Sequence, residues 1–236
     1  MATWTLDGLA RLIDHTYLKP YARAADMERL CDEALEHHFA MVAINQVQTA
    51  LCKRLLEDSD IHVGAAISFP LGQTTIESKV FDSKDAIANG ADEIDYVMNL
   101  TEVENKNWAY VEEEMAAIVA VCREADVVSK VIFENCYLDD EEIVHLCDIA
   151  SRVKPDFIKT STGFGAGGAT YDDIKLMVAT VDPAVRVKAA GGVRTAEQFL
   201  EFVRLGCRRV GTSAGVAIID EIGKMMAEKG VDTIEL

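Results

Sequence analysis

The sequence predicts an α/β protein: a single-domain (β/α)8 TIM-type barrel spanning residues 1–236, with a short extra helix before its first strand. Three observations predict it. Short β-branched runs alternate with amphipathic stretches of helical period, and they do so eight times. Eight βα units in 236 residues suit a closed barrel of about 250 residues better than a doubly wound sheet, which has about five or six strands. No Gly/Ser/Pro-rich linker, low-complexity tract or break in composition marks a second domain.

In chain order, a helix near 5–11 precedes the strand LIDHT (12–16), and a helix over 24–37 follows it. MVAIN (41–45) leads to a helix over 47–58, VGAAIS (63–68) to one over 75–89, and EIDYVMN (93–99) to one over 107–125. SKVIFEN (129–135) is followed by a helix over 139–151, DFIKTST (156–162) by one over 171–180, VRVKAAG (185–191) by one over 195–205, and RRVGTS (208–213) by one over 215–228. Three helix starts carry Ser/Thr-x-x-acid or amide capping patterns: Thr74 with Glu77, Thr170 with Asp173, and Thr195 with Gln198.

Bulk composition narrows the function. With 50% hydrophobic residues, a chain of this length buries roughly 70–75% of its unfolded surface and needs no staple. Lys plus Arg number 23 against 40 Asp plus Glu, a formal charge of −17, which argues against nucleic acid and against an anionic membrane surface as partners. An anionic substrate must therefore be held by local donors. The six cysteines, at 31, 52, 122, 136, 147 and 207, show no C-x-x-C spacing and no clustering with histidine, so no zinc site or disulfide framework is expected. MATWTLDGLARLID lacks a basic-then-apolar leader, and no apolar run reaches about 18 residues, so a cytoplasmic location is expected.

The chemistry is expected at the C-terminal ends of the strands. Lys159 and Lys188 each close a short apolar run just before glycines, where an ammonium is costly to bury. At an ordinary pKa of about 10.4, only about 0.04% of a lysine is neutral at pH 7, so an amine nucleophile needs its pKa lowered by roughly three. A second ammonium about 6 Å away, at an effective dielectric of about 20, supplies about two of those, and desolvation is expected to supply the rest. The bland alternative, each lysine snorkelling to solvent or paired with an acid, is harder to hold for two such lysines together.

Strand alternation gives Asp95, Val97 and Asn99 one face; if that face lines the barrel, a carboxylate stands within reach of both lysines. Taken alone it would read as a structural ion pair. Gly191 and Gly192 after the seventh strand, and Gly211, Ser213 and Gly215 after the eighth, allow backbone N–H groups to approach an oxyanion, and the helix starting at Thr195 adds a positive dipole end. A tight βα turn also asks for glycine, but two such turns side by side favour a phosphate cup. His15, His37, His38, His62 and His145 form no metal-ligand spacing, and a hydrogen-bonded structural role is expected for His15.

IDHTYLKP, ISFPLG, GADEIDYVMN, KVIFEN, DFIKTSTGFGAGGAT, VKAAGGVRT and RVGTSAG, in this order over residues 10–220, resemble the deoxyribose-phosphate aldolases, class I aldolases built on this barrel. The resemblance implies reversible cleavage of 2-deoxy-D-ribose 5-phosphate to acetaldehyde and D-glyceraldehyde 3-phosphate through a lysine Schiff base, with no metal or other cofactor. It implies Lys159 as the Schiff-base lysine, Lys188 as its charged neighbour and Asp95 in the proton relay. Asp14, Thr16, Lys130 and Thr162 would line the substrate and relay positions, and Gly163, Gly191, Gly192, Gly211 and Ser213 the phosphate cup. A homo-oligomer, dimer or tetramer, is expected. The alternatives are a related Schiff-base aldolase or transaldolase on another phosphosugar, and a barrel that binds a sugar phosphate without chemistry.

The chain departs from the family pattern in places. Ala43 and Gln46 stand where many relatives have Cys and Pro, which leaves the mouth near the second strand open to change and predicts less trapping of unsaturated aldehydes by a thiol there. Ala214 replaces a serine that often follows Ser213, removing one phosphate donor, and no tyrosine near DTIEL suggests a tail contact to substrate.

Overall fold

A computed structural model describes residues 2–236. β1 (Thr3–Thr5) and α1 (Leu6–Ala10) lead into β2 (Ile13–Tyr17), α2 (Ala24–His37), β3 (Met41–Asn45), α3 (Thr49–Leu55), β4 (His62–Ile67) and α4 (Ile76–Ala88). Then come β5 (Glu93–Val97), α5 (Leu100–Glu104), α6 (Trp108–Glu124), β6 (Val128–Ile132), α7 (Asp140–Val153), β7 (Phe157–Lys159) and α8 (Tyr171–Thr180). β8 (Arg186–Ala190), α9 (Ala196–Arg204), β9 (Arg209–Thr212), α10 (Gly215–Lys229) and β10 (Thr233–Glu235) complete the chain. β2 to β9 close a barrel in sequential order, every neighbouring pair parallel, and β9 returns to β2. Right-handed β-α-β crossovers wrap the helices outside, as parallel strands require.

The apolar core lies between barrel and helices. On β3, Val42 and Ile44 point into that layer, while Met41 and Ala43 point inward and form a small separate cluster with Ala40. The barrel interior is otherwise notable for ionised groups, and this is where the chemistry sits. Met41 lies over Gly64, where a Cβ would come within 2.3 Å of its sulfur.

Four details differ from expectation. Residues 3–5, of which only the last fell within the helix expected near 5–11, pair as a strand with β10 in an antiparallel ribbon from Thr3↔Glu235 to Thr5↔Thr233; three-residue strands are too short to show alternation. The stretch expected as one helix over 47–58 divides into a 3-10 turn, Gln46–Gln48, and α3. Gln46 holds the turn, since its side-chain amide donates to Asp82 O at 3.1 Å and to Asp85 at 3.0 Å, tying this loop to α4. The cap of α4 is Thr75, whose hydroxyl accepts from Ser78 N at 3.3 Å; Thr74, one residue earlier, bonds to Ser68 instead at 2.7 Å. α5 is an additional turn capped by the Asn99 side chain. Thr170 and Thr195 cap α8 and α9 as expected.

Candidate active site

Strand register brings the predicted residues together. Asp95 stands beside Lys130, Lys159 beside Lys188, and Lys188 beside Arg209 in the parallel ladders. All five side chains point inward. Lys159 Nζ donates to Asp95 Oδ2 at 3.0 Å and Lys188 Nζ donates to the same oxygen at 2.7 Å, while Lys130 Nζ donates to Asp95 Oδ1 at 2.6 Å. Lys188 also pairs with Asp14, Lys130 with Glu93, and Arg209 bridges Asp14 and Glu93, the latter at 2.7 Å. His62, at the opposite, solvent-open end, reaches Glu93 at 2.7 Å.

Counting charges identifies the odd group. Three carboxylates, Asp14, Glu93 and Asp95, face four cations, Lys130, Lys159, Lys188 and Arg209. Lys159 holds a single carboxylate oxygen, and Lys188 already occupies that oxygen; Lys188 and Arg209 each contact two carboxylates and Lys130 contacts three. In a low-dielectric interior the surplus proton leaves most easily from the least compensated ammonium. The Lys159 amine is accordingly pulled down to about 8, first by burial and then by the charge of Lys188, against the opposing attraction of Asp95. The order of causes reverses the sequence expectation, in which the neighbouring ammonium came first. Asp95 is held well below the usual carboxylate range: burial would raise it, but Lys130, Lys188 and Lys159 outweigh burial. Lys130 is pushed above its ordinary value by Asp95, Glu93 and Asp14 despite complete burial.

Above this cluster a cavity of about 550 Å³ opens at the C-terminal face, lined by Lys159, Thr16 and Thr162 and by Gly163, Gly191, Gly192, Gly211 and Ser213. Asp14, Asp95, Lys130 and Lys188 lie beneath its floor, so Lys159 alone of the three clustered lysines reaches the space a ligand would fill. Gly191 and Gly192 adopt φ of 84° and 79°, which a side chain rarely permits, and a Cβ on Gly191 would meet Gly168 Cα at 3.0 Å. The wall is thus bare backbone.

The two helix starts at this wall differ. α9 is closed by its own cap: Gln198 Oε1 accepts from Arg194 N at 2.9 Å and Thr195 N at 3.3 Å, and Thr195 Oγ accepts from Gln198 N at 3.2 Å. The dipole end expected from the Thr195 helix is therefore already occupied. α10 begins at Gly215 behind Ala214, which supplies no side-chain cap, so the N–H groups of its first turn are the ones left to meet an anion. Ala214, read as a lost donor, has no side chain to cap that helix, and its own N–H is already taken by the Thr212 hydroxyl at 2.9 Å.

Sequence reasoning missed Glu93 and Arg209, although each stands two residues before a chosen position, Asp95 and Gly211, on the same strand face. It missed Arg194, exposed on the cavity rim, and the wall contributed by Arg29 and Glu33 of α2. His15 takes the structural role expected of it, buried and 2.6 Å from Glu33, while also edging the cavity.

The family pattern of DeoC/LacD family aldolase matches residues 9–221. The chain is 56% identical over 233 residues to the deoxyribose-phosphate aldolase of Lactobacillus acidophilus, covering 99% of this chain and 98% of that one. It is 47% identical over 214 residues to the deoxyribose-phosphate aldolase of Thermococcus kodakarensis, covering 90% and 96%. The deoxyribose phosphate aldolase of Aeropyrum pernix, described as a unique tetramer, superposes with a TM-score of 0.87 at 29% identity over 94% of this chain and 93% of that one. The orotidine 5'-phosphate decarboxylase of Pyrococcus horikoshii, at TM-score 0.60 and 15% identity over 88% of this chain and 99% of that one, shares the fold alone. On sequence and on fold, the chain belongs to the DeoC/LacD family of aldolases.

Proposed function

We propose that the chain cleaves 2-deoxy-D-ribose 5-phosphate reversibly to acetaldehyde and D-glyceraldehyde 3-phosphate through a Schiff base on Lys159. The observation that carries the reading is the amine of Lys159, pulled down to about 8 and alone among the clustered lysines in opening to the cavity. At pH 7 about a tenth of it is neutral, roughly 200 times the fraction of a free lysine. The neutral amine adds to the aldehyde carbon of the open-chain sugar, water leaves, and an iminium forms. Loss of the C3 hydroxyl proton breaks the C2–C3 bond, releasing D-glyceraldehyde 3-phosphate, and the electron pair is taken up by the iminium as a neutral enamine. Protonation at C2 and hydrolysis then free acetaldehyde and restore the amine.

Asp95, with Lys130 and Lys188 on its two oxygens, is placed to relay those protons just under the reacting nitrogen. Asp14 acts from below through Lys188, and Thr16 and Thr162 offer hydroxyls on the wall. The phosphate would rest on Gly163, Gly191, Gly192, Gly211 and Ser213, at the open start of α10, with Arg194 on the rim. Incubation with the sugar phosphate followed by borohydride reduction and mass spectrometry should place the adduct on Lys159. An adduct on Lys188 would reverse the two roles, and faster turnover of another phosphosugar would change the substrate.

The reading extends to assembly. A homo-oligomer, dimer or tetramer, accords with the tetrameric Aeropyrum pernix relative and with exposed Val47 and Leu71 beside one shallow hollow. Light scattering on the purified chain tests it; a mass near 25.9 kDa would refute it.

A further inference from the structure

The steps above give Glu134 no task. It is 2% exposed at the exit of β6 and sits at φ 56°, ψ 57°, in the left-handed region that residues with side chains seldom adopt. The residues on either side stay in the ladder: Phe133 N donates to Lys159 O and Asn135 N donates to Thr160 O, both at 2.9 Å. The turn at 134 thus points one side chain across the chain that leaves Lys159. No lysine, arginine or histidine among the described residues pairs with it. Its carboxylate instead takes both polar groups of Thr162, the backbone N–H at 3.0 Å on Oε1 and the hydroxyl on Oε2. Gly165 closes over it, where a Cβ would lie 3.2 Å from Glu134 Oε1 and 2.9 Å from Cys136 Sγ.

We infer that Glu134 is a positioning residue that fixes the polarity of the Thr162 hydroxyl and thereby selects a hydrogen-bond donor on the ligand. A carboxylate only accepts, so the hydroxyl proton is held on Glu134. One oxygen lone pair takes Phe164 N–H at 3.0 Å. The other is left for the cavity, of which Thr162 forms the wall next to Lys159. In that state Thr162 accepts from a ligand hydroxyl and cannot donate to a carbonyl or phosphate oxygen. The inference rests on the proposed open-chain phosphosugar, whose hydroxyls supply such a donor.

The test uses Glu134→Gln, whose amide can donate to the Thr162 oxygen and turn the hydroxyl proton toward the cavity. The ligand is 2-deoxyribitol 5-phosphate, which has hydroxyls and phosphate but no carbonyl and forms no Schiff base. Calorimetry should show its affinity falling about tenfold in Glu134→Gln, as for one lost hydrogen bond, with inorganic phosphate changing less than about twofold. Borohydride-trapped acetaldehyde, which carries no hydroxyl, should keep its rate within about twofold. Thr162→Val should lose the alditol to the same degree, Thr162→Ser should retain it, and Glu134→Gln added to Thr162→Val should cost nothing more. Equal losses for alditol and inorganic phosphate, effects that multiply in the double variant, or alditol binding unchanged in Thr162→Val would each overturn the proposal. The Thr162 variants decide it if Glu134→Gln does not fold. Failure to trap any adduct on Lys159 would refute the Schiff-base step alone, since the alditol measurement does not pass through it.

Discussion

Of the four lysines buried in this molecule, Lys79 and Lys159 make the clearest contrast, and only one of them is built to react. Lys79, on α4 outside the barrel, has no exposed surface; its ammonium donates to Glu114 at 2.6 Å and to Val97 O at 2.8 Å, while Glu114 accepts from Asn99 N at 3.0 Å. Burial lowers the pKa of Lys79 too, but Glu114 opposes it as a full partner. The pair brackets the end of β5, the strand that carries Asp95. Lys159 meets the same desolvation, yet shares its carboxylate oxygen with Lys188 and opens to a cavity. Burial of a lysine is therefore no sign of a nucleophile. The distinguishing features are a shortage of carboxylate and a route for the substrate.

The comparison predicts opposite outcomes for the two deletions. Lys159→Leu should abolish the borohydride adduct and lower cleavage by at least about 10⁴-fold, because the covalent route is gone. The folded protein should survive, since three cations then match three carboxylates. Lys79→Met should leave the adduct on Lys159 but reduce stability by about 3–5 kcal/mol, as it strands Glu114 without its cation. Denaturant unfolding read beside adduct yield separates them; a Lys79→Met protein that folded normally and lost its adduct would place Lys79 in the chemistry.

Lys188→Leu sharpens the charge count. With one cation fewer, Lys159 inherits Asp95 Oδ2, and its amine should titrate above about 8, toward the ordinary lysine value. Adduct formation at pH 7 should slow by about 10- to 100-fold and recover as pH rises. An unchanged pH profile would show that burial alone tunes Lys159, an outcome its first-ranked cause makes worth testing.

How far the sequence reveals this arrangement depends on the range of each interaction. The barrel was legible because each βα unit announces itself locally, through alternation, helical period and caps at Thr170 and Thr195. β1 and β10 were not, because their pairing joins opposite ends of the chain through three residues each. Lys159, Lys188 and Asp95 stood out because ionisable residues interrupt apolar strands, and register then set them side by side. Glu93 and Arg209 lay one alternation step away. The Lys79–Glu114 pair was invisible: charged residues in amphipathic helices read as solvent-facing, and only the packing of α4 against α6 buries them. Glu134 lay in a recognised motif, but its left-handed turn and its grip on Thr162 leave no local signature.

The smallest expected effect concerns stability against pH, and its sign follows from the depressed amine. Folded Lys159 titrates at about 8 and the unfolded residue near 10.5, so between those values the unfolded chain binds more protons. Stability contributed by this group is lowest below about pH 8 and rises as pH approaches 10.5. Between pH 7 and pH 10 the rise is about 2.5 kcal/mol, given the proton-binding difference. Other lysines and tyrosines also titrate there, so the quantity to measure is the unfolding free energy of the native chain minus that of Lys159→Leu, at several pH values. The native chain should gain on the variant as pH increases. Lys79→Met, compared in the same way, should fall further behind the native chain as pH rises, because the folded Lys79 amine is also held below its ordinary value and the unfolded chain again binds more protons. Parallel curves for native chain and Lys159→Leu would mean that the Lys159 proton is compensated after all, and that the surplus charge of the barrel resides elsewhere.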